Sequence, residues 1–149
     1  MFFAIFAVFQ FSCVAQFSKT YYPLGENLEF RVKFVYKSKS STTGSGNNQV
    51  VYLAKKGKHF KAVVFKIRNN SDEDKTIDFE KFKLIDAAGD EYTPKQAMQA
   101  MKLTFNTEKL QFKLKAGKSK AYIVEFWPPY PKYEKIKKLM IGNRVYELL

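Results

Sequence analysis

One cysteine, one histidine, one tryptophan and three arginines are all that the 149 residues contain of those types. Each scarcity removes some chemistry. Cys13 is the only thiol and sits in the N-terminal apolar run, so disulfides within the domain and thiolate metal sites are excluded. His59 has no second imidazole or thiol to make a zinc site with. A His-based nucleophilic triad would need Ser and Asp partners that no local motif identifies. It reads as an ordinary residue at the start of a strand. No G-x-S-x-G, HExxH or phosphate-cradling glycine loop is present. Arginine occurs only at Arg31, Arg68 and Arg144, so the basic charge is carried by lysine, a point charge rather than a carboxylate- or phosphate-gripping fork. From these absences the protein is expected to need no cofactor or metal and not to be an enzyme.

What is present is apolar and aromatic. Hydrophobic residues make up 46% and aromatic residues 17%, mostly Phe and Tyr, which argues against disorder and for strands. A chain of this length buries about two-thirds of its unfolded surface and needs no covalent staples. The net charge is +12, none of it within the first sixteen residues. Such a charge makes a soluble surface that attracts anions without specifying one.

Residues 1–15, MFFAIFAVFQFSCVA, are uncharged and too short to span a bilayer comfortably, but they suit the apolar core of a secretory signal peptide. Cys13 and Ala15 occupy the small-residue positions that a signal peptidase reads, which places the cut before Gln16. The basic start of such a leader is missing. Cys13 has a second reading as the lipid-modified cysteine of a lipoprotein, which Ser12 suits and Gln10 does not. A third reading is a buried N-terminal strand or helix. The expectation is export, to the periplasm, the cell surface or the medium.

Residues 16–27 lead into the domain, which is expected to span 28–149. Residues 60–67 (FKAVVFKI) carry apolar side chains on both faces, as in a central strand. Residues 28–36 alternate, with Leu28, Phe30, Val32, Phe34 and Tyr36 expected on one face. Residues 37–49 (KSKSSTTGSGNNQ) read as a flexible inserted loop. Residues 55–58 (KKGK) read as a hairpin turn between strands at 50–54 and 60–68. Further strands are expected at 76–79, 82–85, 110–115, 121–127, 139–141 and 145–148, with the proline-rich PPYPKY (128–133) breaking the sheet. TPKQAMQAMK (93–102) has a Thr cap, Pro at the first helical position and Gln three residues on, the signature of one short helix whose Ala97, Met98 and Met101 would pack on the sheet. Short, closely spaced strands make an antiparallel β-sandwich rather than βαβ units.

Three constellations stand out. The acidic cluster Asp72, Glu73, Asp74, Asp78 and Glu80 is dense enough for calcium, but its spacing fails the EF-hand loop and suits an ordinary turn. Trp127, Tyr130 and Tyr133, separated by prolines, would offer an aromatic platform for a sugar or peptide, or else cover the bottom of the sandwich. Lys113, Lys115, Lys118 and Lys120 form a basic run interleaved with aromatics, which would draw acidic polysaccharide or anionic lipid. The same interleaving raises nucleic acid, which export makes an unlikely partner.

The strand ending at Asn69-Asn70, FKLIDAAGDEY (82–92) and LKAGKSKAYIVEFWPP (114–129) follow one pattern. It runs strand, Asn-rich turn, Phe-x-Leu-x-Asp with Gly and Tyr following, then a Gly turn into a strand that stops at proline. From about residue 60 onward this resembles the immunoglobulin-like, telokin-like domains of secreted and lipid-anchored bacterial proteins, a family of unknown function. The resemblance implies an all-β, immunoglobulin-like antiparallel β-sandwich and brings no catalytic set. The function expected is that of an exported, non-enzymatic module for binding or envelope interactions. The alternative is a binder of an anionic glycan or lipid surface through its lysines and aromatics. Membrane attachment would follow only from a lipid on Cys13.

Overall fold

The computed structural model describes the backbone of Ser12–Val14 and residues 19–44, 46–101 and 109–148. Among these the chain forms thirteen strands. They are β1 (Ser12–Val14), β2 (Tyr22–Gly25), β3 (Leu28–Ser38), β4 (Ser40–Thr43), β5 (Val50–Leu53), β6 (Lys58–Asn69) and β7 (Lys75–Asp78), then β8 (Phe82–Ile85), β9 (Glu91–Gln99), β10 (Gln111–Leu114), β11 (Ser119–Pro131), β12 (Lys138–Ile141) and β13 (Arg144–Glu147). Every pairing is antiparallel.

β6 is the central strand. Its backbone pairs with β3 along one edge and with β11 along the other. One face turns Val63, Phe65 and Ile67 into the core, and the opposite face buries Phe60 and Val64. β9 closes the far edge of this layer against β11, and its first residues, Glu91 and Tyr92, also pair with β8. β8, β12 and β13 form the second layer, with the β7–β10 pair beside it. The layers meet through aromatic rings. Phe65 lies 5.3 Å from Phe82, Phe30 5.1 Å from Tyr146, and Tyr122 5.4 Å from Phe79. Each such pair contributes about 0.5–1.5 kcal/mol beyond its buried area. The fold is an antiparallel β-sandwich.

Residues 93–99 are not a helix. They continue β9 as the edge strand on β11. Gln96 opposes Glu125 but Pro94 opposes Phe126, so Lys95 is an extra residue, a β-bulge. The bulge resets the alternation, placing Pro94 before it and Ala97 after it on the inward face. That three-residue step imitates helical periodicity, and Pro94 is tolerated because an edge needs no donor there. Met98 opposes Ile123 on the outer face and Met101 is fully exposed, so only Ala97 reaches the core.

A second bulge, at Lys33, separates Val32 opposite Phe65 from Phe34 opposite Val64. It turns Val35 inward and puts Phe34 and Tyr36 on the outer face, correcting the uniform alternation expected there. The region 37–49 is largely ordered pairing rather than loop, since β4 pairs with β5. The turn at Gly57 exists, with φ +80°, but it joins β5 to β6 without a ladder between them. The prolines do not end the sheet. After an irregularity following Phe126, Tyr130 pairs with His59 and Pro131 with Lys58. The β12–β13 hairpin turns at Gly142-Asn143 as expected. The leader proposed for residues 1–15 lies outside the described residues, except that the backbone of Ser12–Val14 pairs with β3 opposite Val35–Lys37.

Two buried polar groups show opposite energetics. Asp86 closes the turn before β9. Its carboxylate accepts from the Ala88 and Asp90 N–H groups, both at 2.9 Å, and from the Tyr92 hydroxyl at 2.8 Å. Burial pushes its pKa up, but these donors outweigh burial and hold it below the usual carboxylate range. The Tyr122 hydroxyl is buried with no partner among the described residues, and burial pushes its pKa up to about 12. Asp86→Ala should therefore cost about 2–4 kcal/mol, whereas Tyr122→Phe should stabilise by about 1 kcal/mol. Urea unfolding of both variants checks the pair, and a destabilising Tyr122→Phe would contradict this account of the hydroxyl.

Candidate functional site

The lysines singled out in the sequence lie at the end of the sandwich where β6 stops and β11 starts. They are tied into a corner with the acidic cluster. Asp74 accepts from the Ala116 N–H at 3.0 Å and pairs with Lys113 at 3.1 Å, and its pKa is lowered first by that N–H and then by Lys113. The Asn69 amide donates to the carbonyls of Glu73 (2.7 Å) and Leu114 (3.2 Å), and the Gly117 N–H to that of Ser71 (3.1 Å). Lys115 and Lys118 flank the Gly117 turn, and Lys120 reaches Gln99 at 3.4 Å. Asp78 caps the short 3₁₀ turn at Phe79–Lys81. Among the described residues no three His, Cys, Asp or Glu side chains come together as a metal-binding group. Phe112, half-buried, and Tyr122, buried, pack against the core, so the lysines of this run alternate with core-facing rings rather than with exposed ones.

Trp127, Tyr130 and Tyr133 are not brought together. Trp127 lies on the outer face, 4.7 Å from Tyr52 and 4.9 Å from Phe60, and donates to Glu125 at 2.7 Å. Tyr130 is buried, 4.6 Å from Tyr92, and Tyr133 is 85% exposed. Trp127 and Tyr130 stand three positions apart on β11, and strand alternation puts an odd separation on opposite faces.

The opposite end of the sandwich gathers a second cationic group, about 30–40 Å away along β6. Lys37 opposes Lys61 across the β3–β6 ladder, and Pro131 opposes Lys58 across the β6–β11 ladder. The Lys132 N–H bonds to the Gly57 carbonyl at 2.9 Å and the Ala54 N–H to the Lys39 carbonyl at 2.8 Å. Lys37, Lys39 and Lys132 thus lie around His59, and Lys58 precedes it in β6. Among the described residues none of these four, nor Lys55 or Lys56, has a carboxylate ion-pair partner. Their field is visible in neighbouring groups. Burial, then Lys132, Lys37 and Lys39, hold His59 below the usual imidazole value. Lys61 is 1% exposed, donates to the Glu134 carbonyl at 2.8 Å and lies 4.8 Å from the Tyr130 ring. Burial and then Lys37 lower its pKa to about 8, against a smaller opposing pull from Glu134.

Beside this end a groove of about 550 Å³ runs between β5 and the proline stretch. Leu53, Tyr92, Pro128 and Pro129 line it, with Lys55 and Lys58 on one side and Asp90 and Glu91 on the other. The sequence held the components in KSK (37–39), KKGKH (55–59) and PKY (131–133), but only strand register makes them neighbours.

No family model matches the chain, and no curated protein matches it. Among solved structures it is similar to an uncharacterised β-sandwich protein from Clostridium difficile 630. The identity is 13%, the TM-score 0.53, and the match covers 87% of this chain and 90% of that one. A functionally unknown protein from Listeria monocytogenes EGD-e matches at 12% identity and TM-score 0.47, over 76% of this chain and 62% of that one. The first likeness shows the β-sandwich fold.

Lys61 makes stability depend on pH. Its pKa is near 10.4 in the unfolded chain and about 8 when folded, so between these values the unfolded state binds more protons. The burial cost is complete below pH 8 and is relieved as pH rises towards 10. Unfolding free energy should therefore rise by about 2 kcal/mol from pH 7 to 9.5. Lys61→Met should flatten that increase, as urea titrations at the two pH values will read.

Proposed function

We propose that this protein is an exported, non-enzymatic module of immunoglobulin-like build that holds an anionic partner of the cell envelope at the Lys37–Lys132 end. The observation that carries the reading is the convergence of four lysines at the ends of β3, β6 and β11 without carboxylate ion-pair partners among the described residues. Same-sign charges are brought together at a cost in folding, and a surface that retains them attracts negative charge. The Lys113–Lys120 corner is the weaker candidate because Asp74 offsets part of its charge. The apolar leader supports export, and lipidation of Cys13 would fix the module to a membrane.

A non-catalytic role is supported by what the perturbed groups do. Glu29 and Arg68 pair with each other, Asp86 and Tyr92 close a turn, and Asp74 joins two loops. Each of these shifts has a structural cause in the sandwich.

Heparin serves as the anionic probe. Lys37→Glu/Lys39→Glu/Lys132→Glu should elute at markedly lower salt than the unaltered protein. Lys113→Glu/Lys115→Glu/Lys118→Glu/Lys120→Glu, although it removes more charge, should shift elution less. The reverse order would place the anion site at the other end.

A further inference from the structure

β5 is four apolar residues in succession, Val50 50%, Val51 61%, Tyr52 41% and Leu53 77% exposed. Tyr52 rests its ring on Trp127, which fixes the hairpin over the outer face of the main sheet. Tyr52 opposes the buried Ser41, whose hydroxyl donates to Glu125. Val51 and Leu53 point the other way, into solvent.

β4 is the only strand paired with β5 among the described residues. The Ala54 N–H bonds to the Lys39 carbonyl, and in an antiparallel ladder the bonding direction alternates along the strand. The backbone groups of Val50 and Tyr52 therefore face β4, and those of Val51 and Leu53 face outward along an edge with no strand beside it among the described residues. Edges of this kind are normally blunted by charge or proline within the strand. β5 has neither, and its lysines begin only at Lys55.

Charge selects the occupant. Lys55 and Lys56 stand at one end of the edge, without ion pairs among the described residues, and Lys58 follows across the turn. A second copy would bring another +12 chain and the same lysines to the contact. Resting on the reading of an anionic partner, we propose that β5 takes up an extended acidic segment of a partner protein as an added strand. The main chain of Val51 and Leu53 hydrogen bonds to the segment, and its carboxylates meet Lys55 and Lys56. Its alternate apolar side chains lie against Val51 and Leu53. Main-chain pairing then supplies affinity and the alternate positions supply selectivity.

The probe is a fluorescent eight-residue peptide of alternating Glu and Val, titrated into the full chain and followed by anisotropy. Saturable binding is expected, weakened at least tenfold by N-methylating alternate backbone amides of the peptide, and weakened by Lys55→Glu/Lys56→Glu. Val51→Pro removes one outward N–H without touching the β4 ladder and should weaken binding comparably, its urea midpoint reporting the fold. If binding is lost with the lysines yet indifferent to N-methylation and Val51→Pro, strand addition is wrong while the anionic reading stands. Failure to bind both heparin and peptide overturns both. Self-association in sedimentation velocity that Val51→Pro abolishes, with no peptide bound, would instead make a second copy the occupant and overturn the proposal.

Discussion

The two edges of β6 impose the constraint on which the rest of the molecule depends. An unpaired backbone N–H or C=O in a dry interior costs about as much as a lost hydrogen bond, so a strand buried on both faces must be paired on both sides. β3 and β11 meet that requirement along nearly the whole strand. Once the register is set, a one-residue slip of β6 would turn Val63, Phe65 and Ile67 away from the face they share with Val32 and Tyr122. Hydrophobic burial and backbone pairing thus specify the same alignment.

The charge distribution follows from that alignment. Register on one side places Lys37 against Lys61, and on the other it carries the proline stretch past Phe126 to lay Pro131 beside Lys58. Lysines separated by up to ninety-five positions become neighbours. The same ladders leave Lys61 buried beneath Tyr130, so the cationic end is also the least comfortable part of the core. At the other end the loops around Asn69 and Gly117 are knitted to each other by hydrogen bonds, which makes that corner structural.

Much of the fold was legible where side-chain alternation ran unbroken. The two-faced core of β6, the strands at 82–85, 121–127 and 139–141, and the turn at Gly142-Asn143 stand where the pattern placed them. Asp86, Gly89 and Tyr92, picked out as one motif, prove to be a single hydrogen-bonded turn. Legibility failed where the alternation changed phase. The bulge at Lys95 made an edge strand resemble a helix, and the bulge at Lys33 exchanged the faces of Val35 and Phe34. The polar run at 40–43 carries no hydrophobic signal because β4 lies over the outer face of the main sheet, where its one buried side chain, Ser41, meets Glu125.

Composition and local pattern alone determined that the chain is a staple-free, strongly basic, antiparallel β protein, because those properties depend on residue type and on neighbours two positions away. Tertiary structure alone decided which lysines stand together, which aromatics are hidden and which strand keeps an open edge. Those outcomes depend on register between segments far apart in the chain, and a single inserted residue in a strand reverses them without leaving a trace in composition.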